Sequence, residues 1–346
     1  MNKSESMIFA PVIIPTLNRY EHLKRCIESL KNNFYAKYTD LYISVDYPPS
    51  EKYVKGYEKV KEYLSIPIDG FREVHCYYQS NNLGPTENFH FLINVVSKRY
   101  DRYIFTEDDN EFSPNFLEYI DKGLELFKSE SKVYSILGFK NTDFISNDCN
   151  YITVKFCPAY GQGRWVSKTE EIKKMAEHVL LDKKTYMNFP RMCRFFKHNQ
   201  LYFYKYISSF LCDEKRRFIT DNDDIRMVDF LNSIFLHLTD YVCIAPAISK
   251  VRNWGFDGTG VNMKEDYRKN ADSVWIIDSE KTFEYSMIGP ISFNENNYRI
   301  GNNYTKQWGD LKSSIIAWML YFVLFMSGGN REFAIALKKR IKILLP

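Results

Sequence analysis

The sequence predicts an α/β protein built on a doubly wound, mostly parallel sheet with helices on both faces. Two observations predict this class. Short apolar, β-branched runs alternate with amphipathic helical segments over about the first 100 residues, which is the pattern of successive βαβ units. Polar side chains follow directly after several of the predicted strands, where ligands bind in open parallel sheets.

The alternation begins at residues 10–15, an apolar run that predicts a buried strand. In residues 20–32, Leu23, Ile27 and Leu30 recur at helical spacing. The same pattern then repeats. We predict strands at 41–45, 73–78 and 103–105, and helices at 51–64 and 85–97. The carboxyl ends of these strands direct attention to residues 16–19, Asp46 and residues 106–110.

The second half has a less regular pattern. It predicts strands at 134–139, 152–156 and 241–245, with helices at 168–181 and from about 223 to 238. Residues 182–218 carry nine Lys/Arg against three Asp/Glu among many aromatic side chains. This composition suits a helical insertion or a surface that faces anionic lipid.

Composition excludes several classes of protein. The net charge of +4 on 346 residues is too small to indicate a nucleic-acid partner, and we expect none. The seven cysteines are scattered without a CxxC pair, and the six histidines show no metal-binding spacing. The first strand is followed by no GxGxxG sequence, and the chain has no GxxxxGK[ST] sequence. A Rossmann dinucleotide site and a P-loop are therefore not expected.

The C-terminus combines an apolar run with a basic tail. Residues 315–326 form a 12-residue apolar run, shorter than the roughly 18 to 20 residues that cross a bilayer. Residues 331–346 follow with four clustered basic side chains, Lys338, Lys339, Arg340 and Lys342. This combination is typical of an interfacial membrane anchor, and a helix docked on the core is the alternative. Residues 1–7 are polar, so we expect no signal peptide.

Three consecutive carboxylates, Glu107, Asp108 and Asp109, end the predicted strand at 103–105. Burying like charges together is costly unless a cation is present, and hard oxygen ligands suit Mg²⁺ or Mn²⁺. The alternative is a solvated acidic turn before the helix that Ser113 and Pro114 would begin.

With this context the chain resembles the GT-A glycosyltransferases, in which a DxD-type motif ends a central strand. Residues 11–19, followed by Leu23, Cys26, Ile27 and Leu30, are similar to the start of the family 2 enzymes. The Glu107–Asp109 motif with residues 113–119, together with residues 241–246 and 254–258, looks closer to the β-1,2-N-acetylglucosaminyltransferases. The resemblance extends over about residues 8 to 262.

The resemblance implies roles for individual residues. Asp109 would bind the metal, Mn²⁺ or Mg²⁺, while Glu107 and Asp108 would contact the sugar and ribose of the donor. Asp46 would contact uracil and Arg19 would lie near the nucleotide; a turn aspartate and a solvated arginine are the alternatives. The loop that holds Asn82 and Gly84 is similar to a family 2 loop near the nucleotide, although it also fits a plain helix start.

An inverting transfer needs a carboxylate that removes the proton of the acceptor hydroxyl. The resembling enzymes place this base in an Asp-Asp pair that opens a helix, and the pair matches Asp223 and Asp224 here. We favour Asp224, and helix N-capping is the alternative role for this stretch. Residues 161–165 suit a sugar ring or a structural turn, and residues 254–260 suit a lid over the donor or a surface loop.

The resemblance therefore implies an inverting, metal-dependent glycosyltransferase. It would move N-acetylglucosamine or a similar sugar from a UDP-sugar to a glycan or lipid-linked glycan, in cell-surface polysaccharide synthesis. The expected location is cytoplasmic, peripheral on the inner face of the cell membrane. A catalytically inactive scaffold at the membrane and a nucleotidyltransferase are the alternatives. We divide the chain into a nucleotide-sugar-binding half (1–125), an acceptor-binding half (126–270) with the insertion 182–218, and a membrane-associating region (271–346).

Overall fold

The computed structural model describes residues 8–140, 149–210, 229–260, 275–286 and 311–344. Its centre is an eight-stranded sheet in the order β3-β2-β1-β4-β8-β6-β9-β7, and β5 pairs with β10 in a separate two-stranded sheet. The strands are β1 Val12–Thr16, β2 Asp40–Val45, β3 Glu73–Tyr78, β4 Arg102–Phe105, β5 Asn110–Phe112, β6 Val133–Leu137, β7 Tyr151–Val154, β8 Gln162–Trp165, β9 Val242–Pro246 and β10 Val251–Asn253.

Helices cover both faces of the main sheet and form a further group in the second half of the chain. They are α1 Tyr20–Lys31, α2 Glu51–Leu64, α3 Gly84–Val96, α4 Phe116–Leu126, α5 Val166–Leu181, α6 Lys183–Tyr186, α7 Phe189–His198, α8 Gln200–Phe210, α9 Asp229–Leu238, α10 Leu311–Met326 and α11 Arg331–Leu344. A short 3₁₀ helix occupies Phe34–Tyr38. The predicted α/β class is confirmed.

The first half of the sheet follows the predicted alternation. Strands β3, β2, β1 and β4 are all parallel to their neighbours, with α1, α2 and α3 as the connections. Every side chain of β2 is buried, as expected for a strand covered on both faces. The helix at Glu51–Leu64 and the strand at Glu73–Tyr78 have the predicted bounds. The parallel strands therefore bring their carboxyl ends to one edge.

The second half continues the same sheet with mixed directions. Strand β8 is antiparallel to both β4 and β6, β9 is parallel to β6, and β7 is antiparallel to β9. The strands on the two sides of residue 125 therefore belong to one sheet.

Strand β8 corrects the interpretation of residues 161–165, which were expected to suit a sugar ring or to form a structural turn. Gln162, Gly163 and Arg164 are buried inside the sheet. A side chain at Gly163 would place its Cβ 2.4 Å from Cγ2 of Ile120, so the glycine lets α4 pack closely. The Arg164 guanidinium is held by Gln162 and lies 4.7 Å from the ring centroid of Tyr134. The polar sequence did not predict this strand, in which Gln162 Oε1 accepts from Ser135 and Arg164.

The predicted basic insertion at 182–218 is helical where the structure describes it, as α6, α7 and α8. Helix α10 packs its buried side against α8, and both helices share an apolar cluster with α5, α7 and α9. In the described part of the chain, no helix is long and apolar enough to cross a membrane.

Candidate active site

The carboxyl ends of β1, β2 and β4 lie side by side, and each is followed by a polar residue. Strand β1 ends at Thr16, β2 is followed by Asp46, and β4 is followed by residues 106–109. The order of the strands puts β1 in the middle, paired with β2 on one side and β4 on the other. The topology thus gathers the side chains that the sequence placed up to 93 residues apart.

Asp108 and Asp109 meet one cation, the guanidinium of Arg19. Arg19 Nη1 donates to Asp109 Oδ2 at 2.8 Å, and Arg19 Nη2 donates to Asp108 Oδ1. Thr16 Oγ1 donates to the other oxygen of Asp108 at 2.7 Å. Arg19 lies immediately before α1, so the β1–α1 connection carries the guanidinium across to the end of β4. Both aspartates are buried, whereas the Arg19 side chain is 18% exposed and faces the opening.

The small sheet of β5 and β10 holds Asp109 from the other side. Asn253 pairs with Asn110 in that sheet, and its Nδ2 donates to Asp109 Oδ1 at 2.7 Å. The backbone N–H of Trp254 donates to the carbonyl of Asp109 at 2.8 Å. A Cβ at Gly255 would lie 2.5 Å from Asp109 Oδ2. The glycine therefore lets the chain pass directly over the carboxylate.

This group contains two buried carboxyl groups and only one guanidinium. Burial raises the pKa of Asp109, and the Asp108 carboxylate raises it further, while Arg19 and His22 lower it without cancelling the rise. Burial by itself would lower the pKa of Arg19, but Asp108 and Asp109 raise it, so the guanidinium stays charged. Two buried carboxylates thus share one guanidinium. Further positive charge would stabilise their ionised form.

Asp46 is held differently, by four hydrogen-bond donors of neighbouring loops. Its Oδ1 accepts from the backbone N–H of Tyr47 and Leu83 at 2.9 and 2.8 Å. Its Oδ2 accepts from Asn82 Nδ2 at 3.0 Å and from the N–H of Gly84 at 2.9 Å. Gly84 has a φ of +76°, a conformation that other residues adopt rarely. The carboxylate therefore fixes the loop before α3 at the end of β2, and it brings the predicted residues Asn82 and Gly84 beside Asp46.

The loop after β10, residues 254–260, closes one side of the site. Trp254 Nε1 donates to Glu111 Oε2 at 2.7 Å, and the guanidinium carbons of Arg25 and Arg252 lie 4.4 and 3.6 Å from its ring centroid. Asp257 contacts His22 Nε2 at 2.8 Å. Burial favours a higher pKa for Asp257, but hydrogen bonds from Thr259 and His22 lower it overall. These contacts tie the loop to α1.

A divalent cation fits the chemistry of the Asp108–Asp109 pair. The pair offers only carboxylate oxygens, which are the hard ligands that Mg²⁺ and Mn²⁺ prefer. Its present cation is the partly exposed side chain of Arg19. Asp109 is the carboxylate whose two oxygens face Arg19 and Asn253, at the centre of the group.

A second acidic group lies at the opposite end of the sheet. Ligand atoms of Asp40, Glu73 and His75 lie within 4.8 Å of one another. Arg72 already binds Asp40 with two hydrogen bonds of 2.6 Å, and Tyr100 donates to the same carboxylate. Burial favours a raised pKa for Asp40, yet these donors lower it overall. Asp40 is therefore satisfied by Arg72 and Tyr100, and this group is remote from the carboxyl ends of the strands.

The structure brings together most of the residues that the sequence singled out. Arg19, Asp108 and Asp109 form one contact group, and Asp46, Asn82 and Gly84 form a second one at the neighbouring strand. Glu107 is half-buried at the end of β4, where its carbonyl accepts from Thr106 Oγ1 at 2.8 Å. The predicted base pair, Asp223 and Asp224, lies outside the described residues.

The sequence did not predict two residues of the site, Asn253 and His22. Asn253 reaches Asp109 from 144 residues away, so no local pattern marks it. His22 had a weak signal, because it lies three residues after Arg19 and therefore on the same side of the first turn of α1.

One part of the chain matches a known family. Residues 12–141 match the family described as glycosyl transferase family 2. Among solved structures the chain is similar to TarS of S. aureus, with 16% identity and a TM-score of 0.33 over 52% of this chain and 34% of that one. It is also similar to the mannosyltransferase PcManGT from Pyrobaculum calidifontis in complex with GDP-Man and Mn²⁺, with 10% identity and a TM-score of 0.34.

The second similarity covers 48% of this chain and 46% of that one, so the chain spans less than half of the length of either structure. No curated protein sequence matches the chain.

The family match covers the part of the sheet in which carboxylates follow β2 and β4 on the two sides of β1. The matched residues, 12–141, include Arg19, Asp46, Asp108 and Asp109. Residues 12–141 are therefore similar to a glycosyl transferase family 2 domain.

Proposed function

We propose that the protein is an inverting, metal-dependent glycosyltransferase that moves N-acetylglucosamine or a similar sugar from a UDP-sugar to a glycan hydroxyl. One observation carries the proposal. Asp108 and Asp109 follow β4 beside the carboxyl end of β1, and a single guanidinium bridges them. Mn²⁺ or Mg²⁺ would be held by Asp109, and when bound it would neutralise charge on the leaving diphosphate.

In this proposal Arg19 has a second binding partner, a phosphate of the donor. Guanidinium groups bind phosphate oxygens in a forked geometry, and the Arg19 side chain is partly exposed at the opening of the site. When a nucleotide diphosphate arrives with its cation, Arg19 moves from the two carboxylates to a phosphate. Asp108 and Glu107 then face the ribose and the sugar of the donor.

The loop that Asp46 fixes forms the base-binding side. Asp46, Asn82 and Gly84 lie on the β2 side of β1, across from the Asp108–Asp109 pair. This is the distribution that a nucleoside diphosphate requires, with the base beside β2 and the phosphates beside β4. The contact of Asp46 with uracil remains a prediction from the family resemblance, as does the closer similarity to β-1,2-N-acetylglucosaminyltransferases.

The base of the reaction is proposed to be Asp224, with Asp223 as the other member of the pair. The acceptor oxygen forms a bond to the anomeric carbon while the bond from that carbon to the phosphate oxygen breaks. The hydroxyl proton passes to the aspartate, and the electron pair leaves with the nucleoside diphosphate. A single displacement of this kind inverts the anomeric centre. The proposed acceptor is a glycan or lipid-linked glycan of a cell-surface polysaccharide, met at the cytoplasmic face of a membrane.

A non-catalytic scaffold is the second candidate, and one observation favours it. Arg19 already binds both carboxylates from within the chain, as would suit a protein without metal or donor.

Calorimetric titration with UDP separates the two candidates. We expect UDP to bind the wild-type protein in the presence of Mn²⁺, and Asp109→Asn to lower this affinity at least about 100-fold, since a charged ligand to the cation is lost. Asp69→Asn is the matched control because Asp69 is exposed and pairs only with Lys31 among the described residues. GDP and CMP test the choice of base. A folded wild-type protein that binds no nucleotide with any divalent metal would contradict the proposal and favour the scaffold.

A further inference from the structure

Helix α10 displays a continuous apolar stripe on the surface of the described chain. Ile315, Met319, Phe322 and Met326 are between 49% and 67% exposed. Their spacing of four, three and four residues puts them on one face of the helix. The stripe runs for about 16 Å at 1.5 Å per residue. Large apolar side chains grouped in this way mark interaction surfaces.

The opposite face of α10 is anchored in the protein. Ala317, Leu320, Tyr321 and Leu324 are buried in the apolar cluster that α7, α8 and α9 share. The Phe189 ring lies 6.3 Å from that of Tyr321, almost parallel to it. The helix is therefore apolar on both sides, but only one side has a partner in the described structure. The packed side holds the stripe in a fixed orientation.

Helix α11 follows through a tight turn that depends on glycine. Gly328 and Gly329 have φ values of +62° and +81°. The turn keeps α11 next to α10, with Ala334 and Ile335 buried and Phe333 56% exposed. Helix α11 thus adds one exposed aromatic side chain near its start.

Positive charge is concentrated in the helical hairpin that α10 and α11 form, residues 311–344. Residues 311–344 carry six Lys/Arg and one Glu, a net charge of +5, whereas the whole chain carries +4. The rest of the chain therefore has a net charge of −1. The Arg340 side chain is exposed. Such a separation of charge indicates an anionic partner for the hairpin rather than a second copy, since two copies would bring like charges together.

We propose that the α10 stripe, together with Phe333 and the basic residues of α11, is a docking surface for an anionic lipid bilayer. At 16 residues, α10 is about 24 Å long, shorter than the roughly 30 Å of a bilayer core. The stripe therefore lies in the plane of the interface, with Met319 and Phe322 in the acyl region. The exposed Arg340 side chain remains at the level of the phosphate groups. The proposal does not depend on the glycosyltransferase activity.

Flotation with lipid vesicles tests the surface directly, using the full chain. We expect the protein to float with vesicles that contain an anionic phospholipid, and to bind zwitterionic vesicles at least about 10-fold more weakly. A Met319→Ser, Phe322→Ser double variant should lose at least about 10-fold in binding to the anionic vesicles. Ile66→Ser, Ile276→Ser is the matched control, because these exposed apolar residues lie far from the hairpin in sequence.

A second variant separates charge from apolar contact. Lys338→Gln, Lys339→Gln, Arg340→Gln should abolish the preference for anionic over zwitterionic vesicles. UDP titration and thermal unfolding show whether each variant is folded. The proposal is overturned if the folded wild-type protein stays at the bottom of the gradient, or if both variants float as it does. It is also overturned if the wild-type protein is a dimer in solution that Met319→Ser, Phe322→Ser turns into a monomer.

Discussion

The two ends of β1 each lie beside a buried aspartate, and the surroundings of these carboxylates differ. Near the amino end, the backbone N–H of Ala10 donates to Asp121 Oδ1 at 2.9 Å, and Asp121 Oδ2 has no hydrogen-bond partner among the described residues. At the carboxyl end, Thr16 donates to Asp108, and Arg19 binds Asp108 and Asp109. Burial raises the pKa of Asp121 to about 8, although Ala10 and Arg102 oppose the shift. The carboxyl group at the amino end is stabilised by a proton, whereas the pair at the carboxyl end shares the guanidinium of Arg19.

The largest expected effect concerns the amino end. Because Asp121 has a raised pKa, the folded protein holds a proton there that the unfolded chain releases near pH 4. The stability that this proton confers is complete below about pH 4 and is lost as the pH rises through about 8. The loss is up to about 1.4 kcal/mol per pH unit. Asp121→Asn removes this slope.

Urea unfolding of both proteins at pH 5, 6, 7 and 8 measures the difference. The wild-type free energy of unfolding should fall relative to that of Asp121→Asn by about 4 kcal/mol between pH 5 and 8. Parallel curves would show that Asp121 is ionised in the folded state, and the contrast between the two ends of β1 would disappear.

A smaller effect is expected at Asp46, where a carboxylate at the carboxyl edge is satisfied by N–H groups alone. Asp46→Asn replaces one acceptor by a donor that faces Asn82 and Gly84. The free energy of unfolding should drop by about 2 kcal/mol, the cost of lost hydrogen bonds to a charged group. Thermal or urea unfolding measures it, with Asp69→Asn at the surface expected to change stability by less than about 0.5 kcal/mol. Equal values for the two variants would show that the four bonds to Asp46 do not hold the loop.

The smallest effect is expected for a substitution of Arg19. It should strengthen the binding of Mn²⁺ and weaken the binding of UDP. Without nucleotide, Arg19→Gln should bind Mn²⁺ more tightly, because the guanidinium no longer competes for Asp109. With Mn²⁺ present, its affinity for UDP should fall about 10-fold, since a phosphate partner is missing. Electron paramagnetic resonance of Mn²⁺ and calorimetry with UDP measure the two quantities.

Lys24→Gln is the control of equal charge, since Lys24 is exposed on α1 and contacts Tyr20. If Arg19→Gln weakens both ligands, Arg19 supports the site structurally and does not exchange with the cation.

Much of the fold could be predicted because local patterns specify it. The helix Glu51–Leu64 and the strand Glu73–Tyr78 have strong periodicity with clear ends, and their bounds were predicted correctly. Strand β8 was missed because Gln162, Gly163 and Arg164 are not typical strand residues. Their burial depends on α4 and on Tyr134, which are distant in sequence.

The site was predictable to the extent that topology alone assembles it. Arg19, Asp46 and Asp109 each follow a strand, and parallel strands must bring such residues to one edge. Asn253 was not predictable, because its approach to Asp109 requires the pairing of β5 with β10, two strands of three residues each. Pairing between such short segments is decided by the surrounding fold rather than by their own sequence.

Gly255 lies so close to Asp109 that a substitution at position 255 would disturb this carboxylate without changing any charge. Because a Cβ there would lie 2.5 Å from Asp109 Oδ2, even alanine must displace the carboxylate or the backbone above it. A Gly255→Ala allele would keep every ionisable group and the whole outer surface of the protein. In a living cell, such an allele would distinguish what the protein does as an enzyme from what it does by being present.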